Sequence, residues 1–88
     1  MVKRQRITFF NDPYSKMGDQ LRLLREYNGM TISELAEKID VSNKMISNYE
    51  NGYNRITIET IVKIYNNEAF GNMELEEIFR ILVINIFE

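Results

Sequence analysis

The chain has 88 residues, eleven basic and thirteen acidic side chains and a net charge of −2, enough for one domain with a modest core. It contains neither Cys nor His, which removes disulfide frameworks, zinc ligands and thiol or imidazole nucleophile–base pairs. No acidic pair sits in a pocket-forming context either, so no enzyme, metal or cofactor is expected.

No run of about 20 apolar residues could span a membrane, and no signal-peptide pattern opens the chain. A cytoplasmic protein is the expectation. Charge is unevenly spread: residues 1–55 carry nine Lys/Arg against seven Asp/Glu, residues 56–88 two against six. A small basic excess in the first part suits a nucleic-acid partner bound in a strongly salt-sensitive way.

In chain order, Lys3-Arg4-Gln5-Arg6 precedes Ile7-Thr8-Phe9-Phe10. This segment fits a basic arm leading into a short strand, with Lys3, Arg4 and Arg6 placed to touch DNA. It fits better a terminus whose Phe9 or Phe10 patches the core. Asp12 as N-cap and Pro13 at the first helical position open a helix. Tyr14, Met17, Leu21, Leu24 and Asn28 recur at helical spacing, and Gly29 supplies the stop. Thr31-Ile32-Ser33-Glu34 is a capping box for a second helix with Leu35, Ala36 and Ile39 inward. Asp40 stands where the chain must turn sharply, and Asp tolerates a left-handed backbone.

Ser42 caps a third helix, closed by Asn51-Gly52. At 100° per residue from Asn43, its Ser47, Lys44 and Asn48 lie within about 140°, whereas Met45, Tyr49 and Ile46 occupy about 200° to 300°. The polar arc holds Asn, Lys and Ser, which can donate to base edges or phosphates, and no carboxylate to repel them. Thr57 can cap a fourth helix with Ile58, Ile61, Val62 and Tyr65 inward. Gly71 breaks the chain, Asn72 caps a fifth helix, and Glu74, Glu76 and Glu77 suit its positive end.

From Leu21 to Glu68 the chain resembles the Cro/lambda-repressor (XRE) helix-turn-helix family. The resemblance rests on Leu24-Arg25-Glu26, Gly29-Met30-Thr31, Ser33-Glu34-Leu35-Ala36-Glu37-Lys38, Val41-Ser42, Ile46-Ser47 and Glu50-Asn51-Gly52, in that order and spacing. It implies an all-α, five-helix lambda-repressor-like domain of bacterial, phage or mobile-element origin. The expected division is a basic arm over 1–12, the helix-turn-helix domain over 13–71 and a packing or dimerisation helix over 72–88. Carried onto this sequence, Asn43, Lys44 and Asn48 would read bases. Ser42, Ser47, Asn51, Tyr53 and Arg55 would meet phosphates, and Arg25 would pair with Glu50 to lock the third helix onto the first. The chain departs from the family at Ile32, where Gln is common, at Asp40, where Gly is usual, and at Arg55-Ile56-Thr57, which lacks the usual Pro. The last departure resembles controller proteins of restriction–modification systems as much as phage repressors.

The fifth helix is apolar over far more than one stripe. Its surplus, assigned to Ile81, Ile84 and Phe87, implies a homodimer; Phe9 and Phe10 or further chain could instead cover it. The function expected is a DNA-binding transcriptional regulator, a repressor or a restriction–modification controller, acting as a dimer on an inverted-repeat operator. The alternative is a protein-interaction module, such as an antitoxin or inhibitor, built on the same fold.

Overall fold

A computed structural model describes residues 13–87. The arm, the short strand and the Asp12 cap expected before Pro13 therefore lie outside the described residues. Within them, regular structure is entirely helical: α1 (Pro13–Tyr27), α2 (Ile32–Lys38), α3 (Asn43–Glu50), α4 (Ile58–Asn66) and α5 (Leu75–Phe79). A π-helical turn (Arg80–Ile84) and a 3-10 turn (Asn85–Phe87) continue α5.

Short-range hydrogen bonds start three of these helices where the sequence places them. Thr31, Ser42 and Thr57 each accept the backbone N–H three residues on, and Glu34 returns the bond to Thr31 in a complete capping box. The ends of α1 to α4 share one device. A residue in the left-handed region (Gly29, Asp40, Gly52 or Glu68) follows the last turn. The next residue then bonds back across six: Met30 to Arg25, Val41 to Ala36, Tyr53 to Asn48 and Ala69 to Ile64. Asp40 thus takes the tight corner between α2 and α3 at φ 58°.

The core gathers Met17 and Leu21 from α1, Leu35 and Ala36 from α2, and Ile39 from the turn. Ile46 and Tyr49 of α3, Ile61 and Ile64 of α4, Ile56, Ala69 and Phe70 from the connections, and Ile78, Leu82 and Ile86 complete it. Two expectations need correction. On α4 the buried residues are Thr60, Ile61 and Ile64, while Ile58, Val62 and Tyr65 are exposed. Positions 58, 62 and 65 form a second apolar stripe of the same helical period. The phase is settled by Thr60, whose buried hydroxyl meets Tyr49 Oη and Thr57 Oγ1, both at 3.0 Å.

The second correction concerns the last helix. Its N-cap is Glu74, not Asn72, with Glu77 completing a capping box, and α-helical winding stops at Phe79. The buried residues Ile78, Leu82 and Ile86 are spaced by four. At 3.6 residues per turn, each four-residue step overshoots by about 40°. A π turn winds less per residue and keeps such a stripe closer to one line; Asn85 N–H to the Arg80 carbonyl closes that wider turn.

Candidate nucleic-acid interface

The α2–turn–α3 unit turns a polar surface outward. Asn43 and Lys44, at the start of α3, are exposed; Ser47 and Asn48, one turn later, are half-buried; Ser42 and Asn51 at the two ends are exposed. Several of these groups are already engaged. Ser42 Oγ accepts the Met45 N–H at 3.0 Å, so only its hydroxyl proton is left to reach a phosphate. Asn51 Nδ2 donates to the Ser47 carbonyl at 2.9 Å and to Ser47 Oγ at 3.2 Å, covering the end of the helix. Asn43 Nδ2 donates to Ser33 Oγ on α2 at 2.7 Å. Lys44 forms no ion pair among the described residues.

Beyond α3, Tyr53 is half-buried and Arg55 exposed. The Arg55 guanidinium lies 4.0 Å over the Tyr14 ring, a cation–π contact that fixes its plane and leaves its edges able to donate. Lys3, Arg4 and Arg6 lie outside the described residues.

Behind this face, the end of α3 is held by polar bonds of a directional kind. Glu50 is almost fully buried, and its carboxylate accepts from Arg25 Nε at 2.7 Å and Nη2 at 3.0 Å. Arg25 Nη1 also donates to the Met30 carbonyl at 2.8 Å, so one guanidinium ties α1, the α1–α2 turn and α3 together. The bonds to Glu50 raise the Arg25 guanidinium above its ordinary value, so it stays charged at any working pH.

Two members of this anchorage are absent from the sequence reading. Arg22 Nη2 donates to the Glu50 carbonyl at 3.0 Å, one of the acceptors a helix leaves unsatisfied at its C-terminus. Gly18 lies one turn earlier on α1, where an added Cβ would stand 2.8 Å from the Glu50 carbonyl oxygen and closer still to that of Tyr49. Backbone therefore meets backbone there. A signal existed: Gly18 interrupts an otherwise good helix, and Gly18, Arg22 and Arg25 share one face at steps of four and three.

The residues assigned to a dimer interface do not share one surface. Ile84 lines a groove of about 590 Å³ with Ile58, Val62, Leu75 and Phe79, between α4 and α5. Ile81 lines another, of about 580 Å³, with Leu23, Leu24 and Tyr27 of α1. Phe87 meets the Tyr14 ring edge-on, with centroids 6.1 Å apart.

This arrangement matches known proteins. The Helix-turn-helix family model (HTH_3) matches residues 21–65, about half of the chain. The chain belongs to the XRE-type helix-turn-helix family. It is 40% identical over 50 residues to the antitoxin HipB of Escherichia coli K12, covering 57% of each chain. It is 36% identical over 50 residues to the transcriptional regulator ImmR of Bacillus subtilis, covering 57% of this chain and 39% of ImmR. In both cases the match takes in less than two thirds of the relative's length. Among solved structures it resembles the restriction–modification controller protein C.AhdI of Aeromonas hydrophila. The TM-score is 0.64 at 26% identity, over 75% of this chain and 96% of that one. Among the described residues no helix is long and apolar enough to cross a membrane.

Proposed function

We propose that this chain is a sequence-specific DNA-binding transcriptional regulator, of the repressor or restriction–modification-controller kind, acting from the cytoplasm. One observation carries the reading: α3 presents Asn43, Lys44, Ser47 and Asn48 outward while its far end is clamped to α1 through buried Glu50. A helix that reads base edges must be both polar on one face and held still. Asn43 and Asn48 can pair with adenine N6 and N7, and Lys44 can donate to guanine or a phosphate. Ser42, Ser47, Asn51, Tyr53 and Arg55 border this face in sequence and supply the phosphate contacts.

Selection of bound duplexes from a random DNA pool tests the reading, followed by titration against salt. A selected sequence should emerge, and affinity should fall steeply with salt as counterions are released. Asn48→Ala should cost about 1–3 kcal/mol on the selected duplex and much less on random DNA. Equal losses on both would remove its base-reading role.

The active species is a homodimer. The groove lined by Ile58, Val62, Leu75, Phe79 and Ile84 supports this, because adjoining exposed apolar side chains suit a self-complementary contact. A two-fold pair would place two copies of α3 about 34–36 Å apart on an inverted-repeat operator. A second reading, a protein-holding antitoxin, draws support from the similarity to HipB and from the separate apolar surface of Leu23 and Tyr27. The absence of salt-dependent DNA binding would favour it over the first.

A further inference from the structure

We propose that Tyr14, at the start of α1, is a positioning residue for DNA binding, whose ring holds the Arg55 guanidinium ready for a backbone phosphate. The proposal rests on the phosphate role given to Arg55 above and adds to it a residue from another helix. The Arg55 guanidinium lies 4.0 Å over the centroid of the Tyr14 ring. Arg55 is exposed, in the connection between α3 and α4, and among the described residues no carboxylate pairs with it. A long side chain in such a place samples many rotamers, and a ligand that must order it loses affinity in doing so. Here the ring orders it in advance.

The ring and the cation are both held from behind. Ile56, next to Arg55, is buried, and its backbone N–H donates to Met17 Sδ at 3.4 Å, which fastens the connection to α1. Met17 follows Tyr14 by three residues, on the same face of α1. One helix therefore seats the backbone beside Arg55 and carries the ring beneath its cation. Phe87, from the last turn, meets the Tyr14 ring at 89°, with centroids 6.1 Å apart, and limits how far that ring can swing. The guanidinium gives one face to the ring, while its N–H groups lie in the guanidinium plane and stay available to an acceptor. A phosphate offers two oxygens to that planar fork, so the direction of the plane decides whether one bond or two can form. Arg55 supplies the charge, whose contact with a phosphate sets the salt dependence. Tyr14 supplies order, which salt does not screen.

The test measures affinity against salt for the parent, Tyr14→Phe, Tyr14→Leu, Arg55→Ala and the Tyr14→Leu/Arg55→Ala double variant, on the selected duplex and on random DNA. Arg55→Ala should weaken binding to both alike and lower the salt slope by about one. Tyr14→Leu should weaken binding to both by about twofold to tenfold, the cost of ordering one long side chain, with the slope of the parent. Tyr14→Phe, which keeps the ring, should bind as the parent does, and Tyr14→Leu should cost nothing further once Arg55 is alanine. In the free parent and in Tyr14→Phe, the ring should shift the Arg55 side-chain NMR resonances upfield. Unshifted resonances in the parent would overturn the proposal whether or not the variants fold. So would a Tyr14→Leu loss that persists in the Arg55→Ala background, a Tyr14→Leu that binds like the parent, or a Tyr14→Phe as weak as Tyr14→Leu. A parent without salt-dependent DNA binding would remove the DNA-binding function along with this proposal. A parent with such binding that Arg55→Ala leaves intact would remove this proposal alone.

Discussion

Helix α3 and the C-terminal segment from Leu75 both bury apolar side chains, Ile46 and Tyr49 in the first, but α3 adds directional polar bonds to other helices. At its far end α3 is fixed by polar bonds: two from Arg25 to the Glu50 carboxylate, one from Arg22 to the Glu50 carbonyl, and the Tyr49–Thr60 contact to α4. The C-terminal segment is held by Ile78, Leu82 and Ile86, apolar side chains in an apolar core. Polar bonds act only at set distances and angles, so they fix where a helix points. Apolar burial is non-directional. It tolerates a change of winding and leaves Phe79, Ile84 and Phe87 outside. The surface proposed to meet the grooves of DNA has the first kind of support, and the surface proposed to meet a second copy has the second.

The strongest way to break that comparison is to remove the buried charge pair. Arg25→Met or Glu50→Leu alone should destabilise by up to about 3–5 kcal/mol, the full-burial limit. The loss is less to the extent that Arg22, 3.6 Å from Glu50, and Glu26, 3.9 Å from Arg25, still partner the charge left behind. The double variant should recover much of that loss, because an apolar pair leaves no buried charge. Urea denaturation of the four proteins gives the coupling directly. Additive losses would mean that packing alone positions α3.

Gly18→Ala sharpens the same half of the comparison. Its Cβ has no room between the Tyr49 and Glu50 carbonyls, and overpacking of this kind costs about 1–3 kcal/mol. The displaced element would be α3, so affinity for the selected duplex should fall further than affinity for random DNA. Equal losses on both would show that α1 is not the seat of the recognition helix.

The smallest effect on folding belongs to the other half. Ile84→Glu, on an exposed position, should change stability by no more than about 0.5 kcal/mol under conditions where the chain is monomeric. Sedimentation of the same variant should show weakened dimers, and footprinting on the selected operator should show protection of one half-site in place of two. A parent that sediments as a monomer at high concentration would remove the dimer and leave the groove between α4 and α5 without its occupant.

What the amino-acid sequence determined by itself is local. Each cap at Thr31, Ser42 and Thr57 joins groups three residues apart, and the stops at Gly29, Asp40 and Gly52 need only a left-handed backbone and its neighbours. Such signals survive in any tertiary setting, and they delimit the helix-turn-helix unit on both sides. Position 68 was not legible: Glu68 turns left-handed at φ 51° although its residue type gives no warning. Where two readings satisfied the same period, only the assembled molecule decided. The stripe Ile58–Val62–Tyr65 was as apolar as the one that faces inward, and the buried Thr60 hydroxyl, bonded to Tyr49, selected the other phase. The π turn after Phe79 follows from a four-residue spacing that must meet a core built by other helices. Gly18, Arg22 and the Ser33–Asn43 bond share one reason for escaping a linear reading. Each depends on an atom ten or more positions away, brought within reach by packing and by nothing in its own neighbourhood of chain.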